Sequence, residues 1–158
     1  MNGCFPGEVD TKLARQILEA VAAGFNSQVG VTMDLMRHAS VRGMEDGAQA
    51  WLYGALEKRG YGMDRWTIDV REIEKHSGFS PVKVDYSNAV NVVATHIPSE
   101  NLGRSLILNG HIDVVPTGPP EMWTRSPFEP WINDDWLYGR GDADMKAGLC
   151  ANIFALDV

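Results

Sequence analysis

Cysteine is scarce in this 158-residue chain: there are two, Cys4 and Cys150, far apart and with no Cys-x-x-Cys pair. That argues against a thiolate zinc site and against a disulfide framework. An excess of positive charge is lacking as well. Lys and Arg number 14 against 21 Asp and Glu, a formal net charge of -7. Nucleic acid and anionic membranes recruit clustered cations, so neither is expected as a partner. No stretch approaches the roughly 18 apolar residues of a membrane span. The opening residues show no basic region followed by an apolar run, so no secretory signal is read. Internal repeats, low-complexity tracts and Gly/Ser linkers are missing too. The expectation is one cytoplasmic globular domain, with 44% hydrophobic residues to form its core.

The first third reads as helix. Asp10 or Thr11 can cap a segment carrying Leu13, Ile17, Leu18, Val21 and Phe25 at helical spacing. Asn26-Ser27 reads as a break, followed by a second segment with Val31, Met33, Leu35 and Met36. Glu45 to Arg59 is a third helix, with Gly60 as its stop. The period then changes to two. Arg65 to Arg71 reads as a strand, Val90 to Thr95 as another, and Leu106-Ile107-Leu108 as a third. The last run is apolar on both faces and is expected at the centre of a sheet. Trp131-Ile132 and Trp136-Leu137-Tyr138 flank Asn133-Asp134-Asp135 as a hairpin, in which Trp131 and Trp136 are expected to pack. From Lys146 the chain reads as a helix that reaches Val158 without Gly, Pro or a basic last turn. The expectation from this ending is a piece of a longer protein.

The chemistry-bearing residues cluster late. His111 and Asp113 follow the Leu106 run and stand two apart, so in extended backbone they share a face. A metal-bound histidine needs its second ring nitrogen held, commonly by a carboxylate, and Asp113 can supply one. It could equally orient the ring as a base. Asp142 and Asp144 also stand two apart, in Gly139-Arg140-Gly141-Asp142-Ala143-Asp144-Met145-Lys146. Either can cap the helix or turn before it, and spacing does not choose between them as metal ligands. The Arg140-Gly141-Asp142 tripeptide carries no adhesion argument, because three-residue matches arise by chance. Lys146 lies in a first helical turn, against the dipole, which implies a specific partner for it.

Taken jointly, Gly110-His111-Ile112-Asp113-Val114-Val115-Pro116, then Trp123 with Pro127-Phe128, then Gly139-Arg140-Gly141 running to Asp144-Met145-Lys146, resemble one family. This is the acetylornithine deacetylase / succinyl-diaminopimelate desuccinylase family of zinc metallopeptidases and amidohydrolases. Looser agreement at Ser40-Val41 and at Asn91-Val92-Val93-Ala94 extends the likeness over roughly residues 28 to 158. The resemblance implies that His111 and Asp144 are metal ligands, with Asp144 bridging two zinc ions. It implies that Asp113 serves catalysis by backing His111, and that the Asp144-Met145 peptide is cis. Zinc is the implied metal, two ions per complete site, with cobalt as a possible substitute.

The same resemblance implies an α/β fold, a mixed sheet flanked by helices, in which residues 1–158 are the N-terminal portion of a zinc-dependent exopeptidase-like catalytic domain. The family's dimerisation and lid domain, its water-activating glutamate and its remaining ligands have no counterpart here. His38, His76 and His96 do not substitute for them. The implied activity is hydrolysis of an amide bond in N-acyl amino acids or small peptides, by a full-length protein that forms a homodimer. The alternative is a truncated, non-catalytic binding or regulatory module derived from such an enzyme.

Overall fold

The computed structural model describes residues 10–81, 83–100 and 103–158, so Cys4 lies outside the described residues. Helix α1 spans Thr11–Met36 without interruption. Asp10 caps it, its carboxylate accepting the Lys12 N–H at 2.8 Å. The expected break at Asn26-Ser27 does not occur. Asn and Ser in a helix interior cost only a few tenths of a kcal/mol each, which the burial of Thr32, Leu35 and Met36 further along the same helix offsets. Helix α2 covers Asp46–Glu57 and buries Ala48, Leu52 and Leu56. Gly60 follows it with a φ of 77°, a left-handed stop that favours glycine.

Strands β1 (Gly62–Thr67) and β2 (Val90–Thr95) pair antiparallel, Gly62 opposite Thr95 and Thr67 opposite Val90. The first strand ends earlier than its alternation suggests. Asp69 accepts the Arg71 N–H at 2.9 Å and starts a single helical turn, α3 (Val70–Ile73). A local Asx cap here competes successfully with strand extension. Strands β3 (Trp131–Asn133) and β4 (Trp136–Tyr138) form the expected hairpin. Trp131 stacks on Tyr138 at 4.5 Å between ring centres, and Arg125 covers its ring at 4.6 Å. Trp136 instead faces solvent, 70% exposed. The turn Asp142–Lys146, non-helical at Asp144 and Met145, then leads into α4, Ala147–Asp157.

Helices combine with two small antiparallel sheets among the described residues, consistent with an α/β domain. The central strand expected at Leu106-Ile107-Leu108 is a correction. This run is not a strand, and Ile107 is 87% exposed. Its composition suits a buried strand, but no described strand pairs with it, and β1 and β2 pair with each other instead.

The core lies where α1, α2 and α4 meet: Leu35, Ala48, Leu52, Leu56, Cys150 and Ile153 close around Ile112. Ile112 and Val114 are buried. Their alternation with His111 and Asp113 turns those two side chains the other way. The segment is pinned from behind by Ser40. Its hydroxyl donates to the Ile112 carbonyl at 2.6 Å, and its carbonyl accepts the Val114 N–H at 2.8 Å. Val41 and Val114 form a parallel bridge beside it. Ser40→Ala leaves the buried Ile112 carbonyl without this donor and is expected to cost about 1–2 kcal/mol of stability, measured by urea denaturation. An unchanged midpoint would contradict the pinning role.

Candidate metal centre

Two segments bring the site together. The extended run 109–114 presents His111 and Asp113, and the turn before α4 presents Asp144. His111 Nε2 stands 2.9 Å from Asp144 Oδ1, and Nδ1 stands 3.1 Å from both the Asp113 carboxylate and the Asp113 carbonyl oxygen. Both acceptors on the Nδ1 side favour a proton there. In the neutral ring Nε2 then has no proton to give Asp144; in the imidazolium it donates to Asp144 Oδ1. Burial disfavours the imidazolium, but the Asp144 hydrogen bond, the Asp113 carbonyl and the charges of both carboxylates together raise the His111 pKa above its ordinary value.

Asp144 does not cap α4, which has no side-chain cap. Its carboxylate is open to solvent, 86% exposed, on the His111 side. The neighbouring Asp142 is a turn residue, its carboxylate accepting the Ala143 N–H at 2.8 Å. The backbone therefore separates two aspartates that spacing leaves equivalent. The Asp144-Met145 peptide is cis, as the resemblance implies. Gly141 enters the turn at a φ of 87°, and a Cβ there would stand 2.7 Å from a Val114 methyl. A glycine is thus needed twice over, for backbone angle and for space.

The partner of Lys146 is the C-terminal end of α1. The side chain is fully buried, and Nζ donates to the Leu35 carbonyl at 3.2 Å and the His38 carbonyl at 2.7 Å. The last turn of α1 holds no basic residue of its own. An ammonium from 110 residues further along the chain meets the partial negative charge left there. Burial pushes its pKa down to about 8, so it stays mostly protonated at neutral pH. The Lys146 N–H closes the turn onto the Gly141 carbonyl at 3.0 Å.

Two contacts have no sequence signal. The Arg42 guanidinium stands 3.6 Å from the second Asp113 oxygen, brought there by the Val41–Val114 bridge. The Met145 sulfur accepts the His111 N–H at 3.3 Å. The other histidines lie apart from this pair. His38 packs near Trp51, His96 sits edge-on to Tyr61, and His76 is exposed.

An imidazole nitrogen facing a carboxylate oxygen is a donor pair that suits zinc. Among the described residues no group of three or more His, Cys, Asp or Glu is placed to hold a metal ion. Zinc ordinarily takes four donors, so this pair by itself would be two of them. Arg140, near the turn, serves structure: its guanidinium lies over the Trp123 ring at 5.2 Å and donates to the Pro116 carbonyl at 3.3 Å.

The sequence profile of Peptidase family M20/M25/M40 matches residues 107–158, the stretch that carries all three site residues. The chain resembles the N-terminal part of the acetylornithine deacetylase / succinyl-diaminopimelate desuccinylase branch of this family. It is 37% identical over 132 residues to the succinyl-diaminopimelate desuccinylase of Xanthomonas oryzae pv. oryzae strain PXO99A, covering 84% of this chain and 30% of that protein. The enzyme of the same name from Stenotrophomonas maltophilia strain K279a is 37% identical over 128 residues, 80% of this chain and 28% of the relative. The one from Psychromonas ingrahamii is 35% identical over 124 residues, 78% and 27%. The chain thus spans under a third of the length of the curated relatives it matches.

Lys146→Met keeps the apolar stem but leaves two carbonyls at the end of α1 without their donor. It is expected to lower stability by about 1–3 kcal/mol, and the loss should be visible as an earlier urea midpoint. A midpoint equal to that of the parent would mean that water or a rearranged α1 terminus replaces the ammonium.

Proposed function

We propose that residues 1–158 are the N-terminal portion of the catalytic domain of a zinc-dependent amidohydrolase that cleaves the amide bond of N-acyl amino acids or small peptides. The observation that carries this reading is the 2.9 Å approach of His111 Nε2 to Asp144 Oδ1, with Asp113 behind the ring. The names of the relatives, succinyl-diaminopimelate desuccinylases, support an acylated amino acid as substrate. In this reading the dimerisation and lid domain, the water-activating carboxylate and the other ligands lie outside these residues. The exposed Leu106 and Ile107 support it, since an uncovered apolar run of this kind needs cover from further polypeptide. The whole protein would act as a cytoplasmic homodimer.

His111, through Nε2, and the Asp144 carboxylate are the groups that would hold zinc. Bound there, divalent zinc would supply polarisation of the amide carbonyl and a lowered pKa for water; cobalt can stand in. The chain's own residues do the positioning. Asp113 keeps the Nδ1 proton in place and the ring plane fixed, and Ser40 holds the backbone that carries both. Ile112 and Val114 seal the site from below. The 158 residues alone are expected to be catalytically silent, because two donors cannot hold two ions tightly.

A second reading, a non-catalytic binding or regulatory module derived from such an enzyme, is favoured by the same two-donor count among the described residues. The two readings part on one experiment. In a longer chain that contributes the missing donors, Asp144→Ala is expected to lower zinc affinity by more than about 100-fold, beyond what loss of an outer partner does, and to abolish deacylation. Asp142→Ala should leave both largely intact. Zinc retained in the first variant and lost in the second would reassign the ligand. Deacylation by the 158-residue chain alone would overturn its proposed silence.

A further inference from the structure

The two proposed donors come from segments 33 residues apart, and the contact between their side chains is exposed: His111 is 47% and Asp144 86% accessible. An exposed polar contact of this kind is screened by water and does not fix geometry by itself. Something must hold the two backbones in register. Met145, the residue after Asp144, reaches the main chain of His111. Its sulfur accepts the His111 N–H at 3.3 Å, and no other acceptor among the described residues reaches that N–H. Its methyl carbon lies 3.3 Å from the position a Cβ on Gly110 would take. The bare backbone of Gly110 therefore makes room for this side chain.

We propose that Met145 is a positioning residue for the His111–Asp144 pair, its thioether tying the His111 backbone to the turn that presents the Asp144 carboxylate. The role rests on reading those two residues as metal donors. A methionine used only to fill space could be replaced by leucine of nearly equal volume at little cost. A methionine used as an acceptor could not, because leucine offers nothing to the His111 N–H. Glutamine, unbranched and of similar length, restores an acceptor at about the same reach.

The test compares the parent chain with Met145→Leu and Met145→Gln, using zinc alone as the probe and the ring and amide nitrogens of His111, read by NMR, as the reporter. Without metal, Met145→Leu should shift the His111 amide signal and average the ring nitrogen signals, with thermal melting close to that of the parent. With zinc, the midpoint of the His111 response should rise by about tenfold, at the low end of the range for a lost outer partner because sulfur is a weak acceptor. Met145→Gln should return both readouts towards the parent. A leucine variant with parental His111 signals and a parental zinc midpoint would overturn the proposal while leaving the metal reading intact. If the parent shows no zinc response at His111, the metal reading fails first, and the metal-free signals still decide whether Met145 positions the ring. If Met145→Leu unfolds the chain, the glutamine variant carries the test: parental His111 signals support the acceptor role, and signals averaged in a folded glutamine variant overturn it.

Discussion

A buried ammonium on the end of a helix holds this structure together at its functional end. Lys146 leaves the turn that carries Asp144, passes under Gly141 and ends on the Leu35 and His38 carbonyls. Burying an ammonium costs several kcal/mol unless hydrogen bonds and opposite charge compensate it. Two carbonyls and the dipole of a 26-residue helix provide that compensation. The consequence is geometric. The C-terminal end of α1 becomes the fixed point for the 141–146 turn, and Ser40, four residues past α1, becomes the fixed point for the 111–114 segment. Both halves of the candidate site hang from the same helix end.

This arrangement separates what is rigid from what is chemical. Ile112, Val114 and the stem of Lys146 are packed and dry, while His111, Asp113 and Asp144 are reached by water on the other side of the same short segments. Alternation along an extended backbone makes the division in one segment, and the turn makes it in the other. The match to the M20 family profile, confined to residues 107–158, takes in both segments.

Much of this was legible in the sequence, and the failures have physical causes. The helices at Asp46–Glu57 and Ala147–Asp157 and the Trp131–Tyr138 hairpin follow from apolar period and turn chemistry. So does the shared face of His111 and Asp113. Asn26-Ser27 misled because propensity is local and a few tenths of a kcal/mol, whereas the packing at Leu35 and Met36 is not local. Leu106-Ile107-Leu108 misled because an apolar run reports what a segment needs, not whether a neighbouring strand is there to meet it. Family resemblance, not spacing, separates Asp142 from Asp144 as a ligand; in the structure Asp142 accepts the Ala143 N–H and Asp144 faces the His111 ring. The partner of Lys146 was invisible because backbone carbonyls leave no residue-type signal. Met145 and Arg42 were missed because their contacts, with a backbone N–H and a distant carboxylate, are set by the fold.

The central claim is that Nε2 of His111, opposite Asp144, is a metal donor. It is tested most directly by titrating zinc into the 158-residue chain while following the ring nitrogens of all four histidines by NMR. The account predicts a change confined to His111, at Nε2, with Nδ1 keeping its proton against Asp113. Equal responses at His38, His76 and His96, or a response at Nδ1 of His111, would contradict it.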